Sequence, residues 1–440
     1  MRNIEAAKIG AFLQDFLPAD KSATDAPFQP HHFVRNRKLP LSTTVGITIN
    51  MVRPGKRFGY QAVVDRYFSE LGLIGSGAER PTPPTAGAFT RSRQKIPLEL
   101  FQGLFDQVVE QVTDQAAQFG AHRWNGFRVF AIDGTKKNLP HSAELVEHFG
   151  VPEGAHFPQT LVCALYDVLA KIPCDVIWGP YRASERALAK ELCGDLGPED
   201  LLLMDRGFPS FEILDDLSEK KINFLVRLPK TGMFREVGEF LATGGVDGVV
   251  TIAPSPKLVS ERLAAGLAAP PPLCLRVVKL AAPGATSEPA VFITTLHNGE
   301  RFPPQVLSDL YHLRWEEEEF YKLIKELLAA ENIRGKSCLL VHQELIAMYL
   351  YCVLARMLTF EAAARHGIEP SHIPQQHAFL AASRYLDRLF TAKSPEDCER
   401  LLTRCVDEIA WRRYKKRPGR SHPRRSRSSF GKWGRKSASA

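Results

Sequence analysis

Two short apolar runs that each end on an aspartate constrain this chain more than any other feature. FRVFAI leads into Asp133-Gly134-Thr135, and LLLM leads into Asp205-Arg206-Gly207. Runs this short, apolar throughout and bounded by turn residues, read as strands buried on both faces. In an open α/β sheet such a strand delivers its C-terminal residue to the edge where ligands bind. Singly, each Asp is also an ordinary turn residue. Brought to neighbouring strand ends, the two carboxylates repel each other unless a proton or a cation intervenes. Oxygen-only donors of this kind suit Mg2+.

The flanking pattern extends the sheet. QTLVCALYDVL and KIPCDVIWG are two further strand candidates. Ser184 opens a helix through Leu192, a second helix is expected from about Pro209 to Ser218, and INFLVRL is another strand. Three strands followed by alternating helix and strand predict a mixed α/β sheet with helices on both faces. Residues 230–300 break the rhythm with GGVDGVV, LAAPPPL and AAPGAT between the short strand candidates VVTIA, LCLRVVKL and AVFITTL, a β-rich insertion. Before residue 120 and after 336 the apolar spacing is helical. Thr85 is placed to cap the helix after the breaker PTPPT.

Charge distribution narrows the partners. The net charge is +8, yet Arg412 to Lys436 holds twelve Lys/Arg and no acid, so the rest of the chain carries 8 − 12 = −4. A basic tail interleaved with Trp411, Tyr414, Phe430 and Trp433 points to nucleic acid, whose phosphates and bases those residue types engage. Arg53, Lys56, Arg57, Arg91, Arg93 and Lys95 lie between the N-terminal helices. They fit a DNA-binding module and a plain charged surface equally. Eight cysteines contain no C-x-x-C pair, which argues against a zinc module or a redox motif. The longest apolar stretch, Leu345–Leu358, is too short to span a bilayer and reads as a core helix. No Walker-type loop is present, so no nucleotide cofactor is expected. His141, His148 and His156 are spaced as structural or solvated histidines rather than as ligands on one helix face.

A third motif is more specific. In YHLRWEEEEFYKLIKELL, taken as one helix, Tyr311, Arg314, Glu318 and Lys325 fall within a roughly 60° arc. Leu313, Phe320, Ile324 and Leu327 fall opposite. The expectation is one helix that buries the apolar stripe and presents a Tyr-Arg-Glu-Lys stripe, with Glu316, Glu317 and Glu319 pointing elsewhere. A solvated face laced with ion pairs would show similar charge.

That spacing, Y-(2)-R-(3)-E-(6)-K, resembles the signature of the insertion-sequence-four family of bacterial DDE transposases. Asp133 in AIDGT and Asp205 in MDRGF resemble the family's two catalytic Asp residues, and RPGRSHPR resembles its basic end. The resemblance covers about residues 85 to 425. It implies a ribonuclease-H-like catalytic domain in which Asp133, Asp205 and Glu318 bind two Mg2+ or Mn2+ ions. It further implies that Tyr311, Arg314, Lys325 and Arg206 contact DNA. The expected division is a helical N-terminal DNA-binding region over 1–120 and a catalytic domain over 121–229 and 301–335, interrupted by the insertion at 230–300. C-terminal helices over 336–410 and a basic flexible tail over 411–440 complete it. The expected activity is cleavage at transposon ends and strand transfer into target DNA. The expected partners are double-stranded DNA (terminal inverted repeats and target) and a second copy of the chain in the DNA complex. The expected location is the bacterial cytoplasm at the nucleoid, with no membrane. A structure-selective nuclease of the same fold, or a catalytically silent DNA-binding derivative, are the rival readings.

Overall fold

Alternation along the first strand sets the architecture. In β1 (Arg128–Asn138), Val129 and Ala131 enter one apolar core while Phe130 and Ile132 enter another, so the sheet is covered on both faces. The computed structural model describes residues 2–35, 38–52, 59–72, 82–120, 122–229, 234–280, 289–328 and 333–414. β1 is followed by β2 (Gln159–Asp167) and β3 (Ile172–Pro180), each antiparallel to the strand before it. Next come β4 (Asp200–Met204), parallel to β1, and β5 (Asn223–Arg227), parallel to β4. The insertion contributes β6 (Asp247–Ile252), β7 (Leu273–Leu280) and β8 (Ala290–Thr294). These three strands continue the same sheet, antiparallel, in the order β3-β2-β1-β4-β5-β8-β7-β6. The expected mixed sheet with helices on both faces is what forms.

One register detail matters for the site. β1 pairs with β4 only from Arg128↔Asp200 to Ala131↔Leu203, whereas its pairing with β2 runs on to Asn138↔Gln159. Asp133 therefore lies just past the point where β1 loses its partner on the β4 side.

The helices, in chain order, are α1 (Arg2–Asp15), α2 (Leu41–Asn50), α3 (Tyr60–Glu70), α4 (Ala86–Arg93), α5 (Leu98–Gln118), α6 (Ala143–Phe149), α7 (Glu185–Leu192) and α8 (Phe211–Glu219). After them come α9 (Arg235–Ala242), α10 (Pro256–Ala264), α11 (Pro304–His312), α12 (Trp315–Leu327), α13 (Cys338–His366), α14 (Gln375–Phe390) and α15 (Pro395–Ala410). Thr85, Ser184 and Ser210 cap α4, α7 and α8 by accepting from the backbone N–H groups of Ala88, Ala187 and Ile213. α7 and α8 cover the face that carries Phe130 and Ile132. On the other face α5 and α13 pack together, joined by α1, α2, α14 and α15. α13 is long and apolar enough to cross a membrane, but it is buried inside the fold as the expected core helix.

The N- and C-terminal helical regions share this core rather than standing apart. Arg93 shows how. It is wholly buried and donates to Gln343 Oε1 (3.3 Å), Glu344 Oε1 (3.0 Å) and the Leu340 carbonyl (2.9 Å), tying α4 to α13. Arg93 is therefore a packing residue, not part of a basic surface, while Arg91 and Lys95 are exposed. Arg53, Lys56 and Arg57 lie outside the described residues.

Candidate active site

Asp133 and Asp205 reach the same sheet edge from adjacent strands, Asp205 directly after β4. Each is fixed locally: Asp133 Oδ1 accepts from Gly134 N–H at 2.8 Å and Asp205 Oδ1 from Gly207 N–H at 2.7 Å. Burial pushes the Asp133 carboxyl up to about 6; Glu185 and Asp205 add to the shift, and Gly134 N–H and Arg314 oppose it. Glu185, the first residue of α7, is a fourth acid that sequence reasoning missed. Its carboxylate sits so close over Gly134 that a Cβ there would collide with Glu185 Oε1. Its carboxyl is raised by burial and then by Asp205. In sequence it reads only as an acid in a first helical turn, which favours the helix dipole anywhere.

The third motif differs from the expected single helix. The chain tightens at Leu313 and Arg314, where backbone bonds run from Leu313 N–H to Leu310 and from Arg314 N–H to Tyr311, and α11 gives way to α12. Nor is the Tyr-Arg-Glu-Lys set a solvated stripe. Tyr311 is buried with its ring edge-on to Phe292 of β8 at 4.7 Å, and burial raises its hydroxyl pKa. Arg314 is buried above the Tyr311 ring and forms an ion pair with Glu318, which is partly exposed. Lys325 lies two turns further along α12, exposed, and Arg206 is exposed beside Asp205. Arg314 is the cation felt in common: Asp133 and Asp205 both sense it electrostatically, and Glu318 touches it.

Of the other glutamates, Glu316 pairs with Lys171 at 2.7 Å and Glu319 with Lys322 at 2.5 Å, both away from the site as expected. Glu317 does not point elsewhere. It is fully buried, and its Oε1 accepts from Asp133 N–H at 2.9 Å. One turn on, the Tyr321 hydroxyl donates to the Asp133 carbonyl at 2.9 Å. α12 thus grips both main-chain polar groups of Asp133. Burial, then the charge of Asp133, pushes the Glu317 carboxyl well above the usual range, and its Oε2 is buried without a partner. The sequence held a signal for this. Glu317 lies seven residues before Ile324, about 20° from it on a helical wheel, so it belongs with the apolar stripe.

The donors at this edge are carboxylate oxygens, the chemistry that hard divalent cations select. Glu318 is engaged with Arg314, and among the described residues no three acidic, His or Cys side chains are spaced as a ready-made metal-binding group. The set fits such a cation in kind, with Glu318 having to leave Arg314 to join it. His141 and His156 stack at 4.9 Å and His148 packs on Phe149, all three exposed, in keeping with the solvated or structural role expected of them. Trp411, Arg412, Arg413 and Tyr414 are exposed after α15; the basic tail from residue 415 on lies outside the described residues.

Comparison with known proteins places the chain among transposases. A family model described as Transposase DDE domain matches residues 124–354, more than half of the chain. Over 414 residues the chain is 25% identical to the transposase InsG for insertion sequence element IS4 of Escherichia coli (strain K12), covering 86% of this chain and 88% of that protein. It is 25% identical over 199 residues to the putative transposase InsZ of the same organism, covering 44% of this chain and 62% of that one. A solved piggyBac transposase synaptic complex with hairpin DNA overlays at a TM-score of 0.43 and 12% identity, over 86% of this chain and 76% of that chain.

Proposed function

The chain belongs to the transposase DDE domain family, and from that premise we propose that Asp133, Asp205 and Glu318 are the carboxylates with which it cuts transposon ends and joins them to target DNA. It is a transposase, an enzyme of DNA transposition that binds transposon DNA, and its family is generally dependent on divalent metal. One observation carries the residue assignment. Asp133, within β1 where its β4 partner has ended, and Asp205, directly after β4, share a single buried arginine, Arg314, with the glutamate of the third motif.

Asp133, Asp205 and Glu318 would hold Mg2+ or Mn2+, two ions per site. When bound, such ions supply activation of the attacking oxygen and stabilisation of the leaving 3′ oxygen in an in-line displacement at phosphorus. This chain's own residues supply position and charge. Glu317 and Tyr321 fix the Asp133 main chain. Arg314 offsets the acids and, once Glu318 is drawn away, has a guanidinium free to take a phosphate beside the scissile bond. Its Nε is already buried without a partner. Lys325 and Arg206, both exposed, contact the DNA backbone further out. Tyr311, packed on Phe292 under the Arg314 guanidinium, orients that arginine toward the strand end. The N-terminal helices and the tail add non-specific affinity, and two copies of the chain pair the two transposon ends. The expected setting is the bacterial cytoplasm, at the nucleoid.

The test is Asp133→Ala in a cleavage and joining assay on the element's terminal repeats. The expected result is loss of Mg2+-dependent cutting with DNA affinity unchanged. Cutting retained by that variant would overturn the carboxylate assignment, and cutting by the parent without joined product would favour a nuclease.

A further inference from the structure

On the α7 face of the sheet, next to the acids, lies a cleft of about 470 Å³. Its walls are Lys136 and Gly134 of β1, the Tyr181-Arg182-Ala183 turn after β3, and Glu185. Gly134 and Lys136 are two apart in one strand, so both present to this face, and Gly134 follows Asp133 directly. The Asp133 side chain leaves β1 on the opposite face, so the cleft borders the candidate active site across the rim of β1, with Glu185 the acid on its own side. Charge divides along it. Glu185 lies at the end nearest Asp133 and Asp205, both of which it senses. Lys136 is near enough to favour the charged form of Glu185, and Lys136 and Arg182 are exposed. The Arg182 guanidinium lies 5.2 Å from the centre of the Tyr181 ring, which limits where its charge can go. Tyr181 is itself set by its backbone N–H, which donates to the Phe149 carbonyl at 3.1 Å.

We propose that this cleft is a DNA-backbone subsite, in which Lys136 and Arg182 take successive phosphates of the strand running away from the scissile bond. The proposal rests on the catalytic reading above and adds a direction to it: the DNA leaves the acids toward α7. An acid cluster alone repels a phosphodiester, so the substrate needs cations immediately beside it, and the cleft supplies two on a rigid strand and a short turn. A space of this size sits in the range that holds small organic groups, ample for a phosphate with its sugar.

Each duplex phosphate contact contributes about 0.9 to the slope of log affinity against log salt, so losing two lowers the slope by about 1.8. The experiment measures binding of a labelled terminal-repeat duplex to the full chain between 50 and 200 mM salt. For the Lys136→Ala/Arg182→Ala variant, the ratio of its Kd to the parent's is expected to shrink about 12-fold across that range. Lys136→Arg/Arg182→Lys keeps both charges and is expected to restore the parent slope, which separates a lost contact from a lost fold. Arg235→Ala/Lys257→Ala, on exposed positions of α9 and α10, removes equal charge elsewhere and is expected to leave the slope alone. A slope unchanged in the Lys136/Arg182 pair, or lowered equally by the α9/α10 pair, overturns the subsite. Asp133→Ala in the same titration keeps the two readings apart, since failure of the catalytic assignment shows in cutting and failure of the subsite shows in the slope.

Discussion

Replacing Glu317 with leucine tests whether α12 holds the first aspartate in place. The side chain is wholly buried, so the change keeps most of the volume and removes one hydrogen-bond acceptor from Asp133 N–H. An abandoned buried donor costs about 1–3 kcal/mol. Against that, leucine also removes a desolvated carboxyl whose Oε2 has no partner, a gain of the same order. The two nearly cancel in global stability, so the melting temperature should barely move. They do not cancel at the site, because only the lost tether bears on where the Asp133 carboxylate sits. If about 1–3 kcal/mol must now be supplied to reach the reactive placement, the cleavage rate falls roughly 5- to 150-fold. Glutamine in place of Glu317 keeps one acceptor and one donor edge, like a protonated carboxyl, and should stay near the parent. The assay is single-turnover cleavage of a labelled terminal repeat at saturating divalent cation, with a melt of each variant. Leucine cutting at the parent rate, or glutamine falling as far as leucine, would refute the tether.

Other perturbations separate geometry from charge. Gly134→Ala places a Cβ against the Glu185 carboxylate, so it should displace that side chain and slow cleavage on the order of 100-fold. Parent-like cleavage by that variant would mean the close approach is not needed. The folded Asp133 carboxyl titrates at about 6, above its ordinary value of 3.8, so its ionisation weakens the fold as pH rises through that window. Metal-free protein should therefore lose melting temperature between about pH 4 and 6 more steeply than an Asp133→Asn variant, and Mg2+ should close the difference; parallel curves would count against it. Arg93→Met leaves Glu344 buried, with Tyr60 and the Arg334 N–H as its remaining partners. Breaking such a pair costs about 3–5 kcal/mol, and a melt showing much less than 1 kcal/mol would contradict the burial argument.

The sheet was legible in the sequence because its central strands are apolar on both faces, although β1 does not stop at the expected Asp133-Gly134-Thr135 turn but runs on beside β2 to Asn138. Asp133 and Asp205 became a pair only through Glu318, whose partners Tyr311, Arg314 and Lys325 recur at helical spacing. What that spacing hid was the tight turn at Leu313 and Arg314. A wheel drawn through it gives a surface stripe, whereas folding buries Tyr311 and Arg314 beneath the edge of β8. Glu317 escaped notice because glutamates are expected in water, although its step from Ile324 put it among the apolar positions. Glu185 had no comparable signal. Its nearness to Gly134 arises from packing of α7 on β1, and no local pattern encodes that. Arg93 shows the reverse error: a basic residue between helices reads as surface until a long-range partner, Glu344 on α13, takes it inside.

The unequal pairing of β1 has a consequence for scale. From Ile132 to Asn138 the strand runs beside β2 with no β4 alongside, seven residues and about 23 Å of overhang at ~3.3 Å each. The sheet thus narrows to a three-stranded ledge, with Asp133 at its inner corner and Lys136 along its length. Base pairs stack every ~3.4 Å, so the ledge spans about seven of them. A duplex laid along it with a phosphate at the corner would have most of a helical turn beside this rim, a length over which Lys136 and the other exposed cations proposed above could engage it.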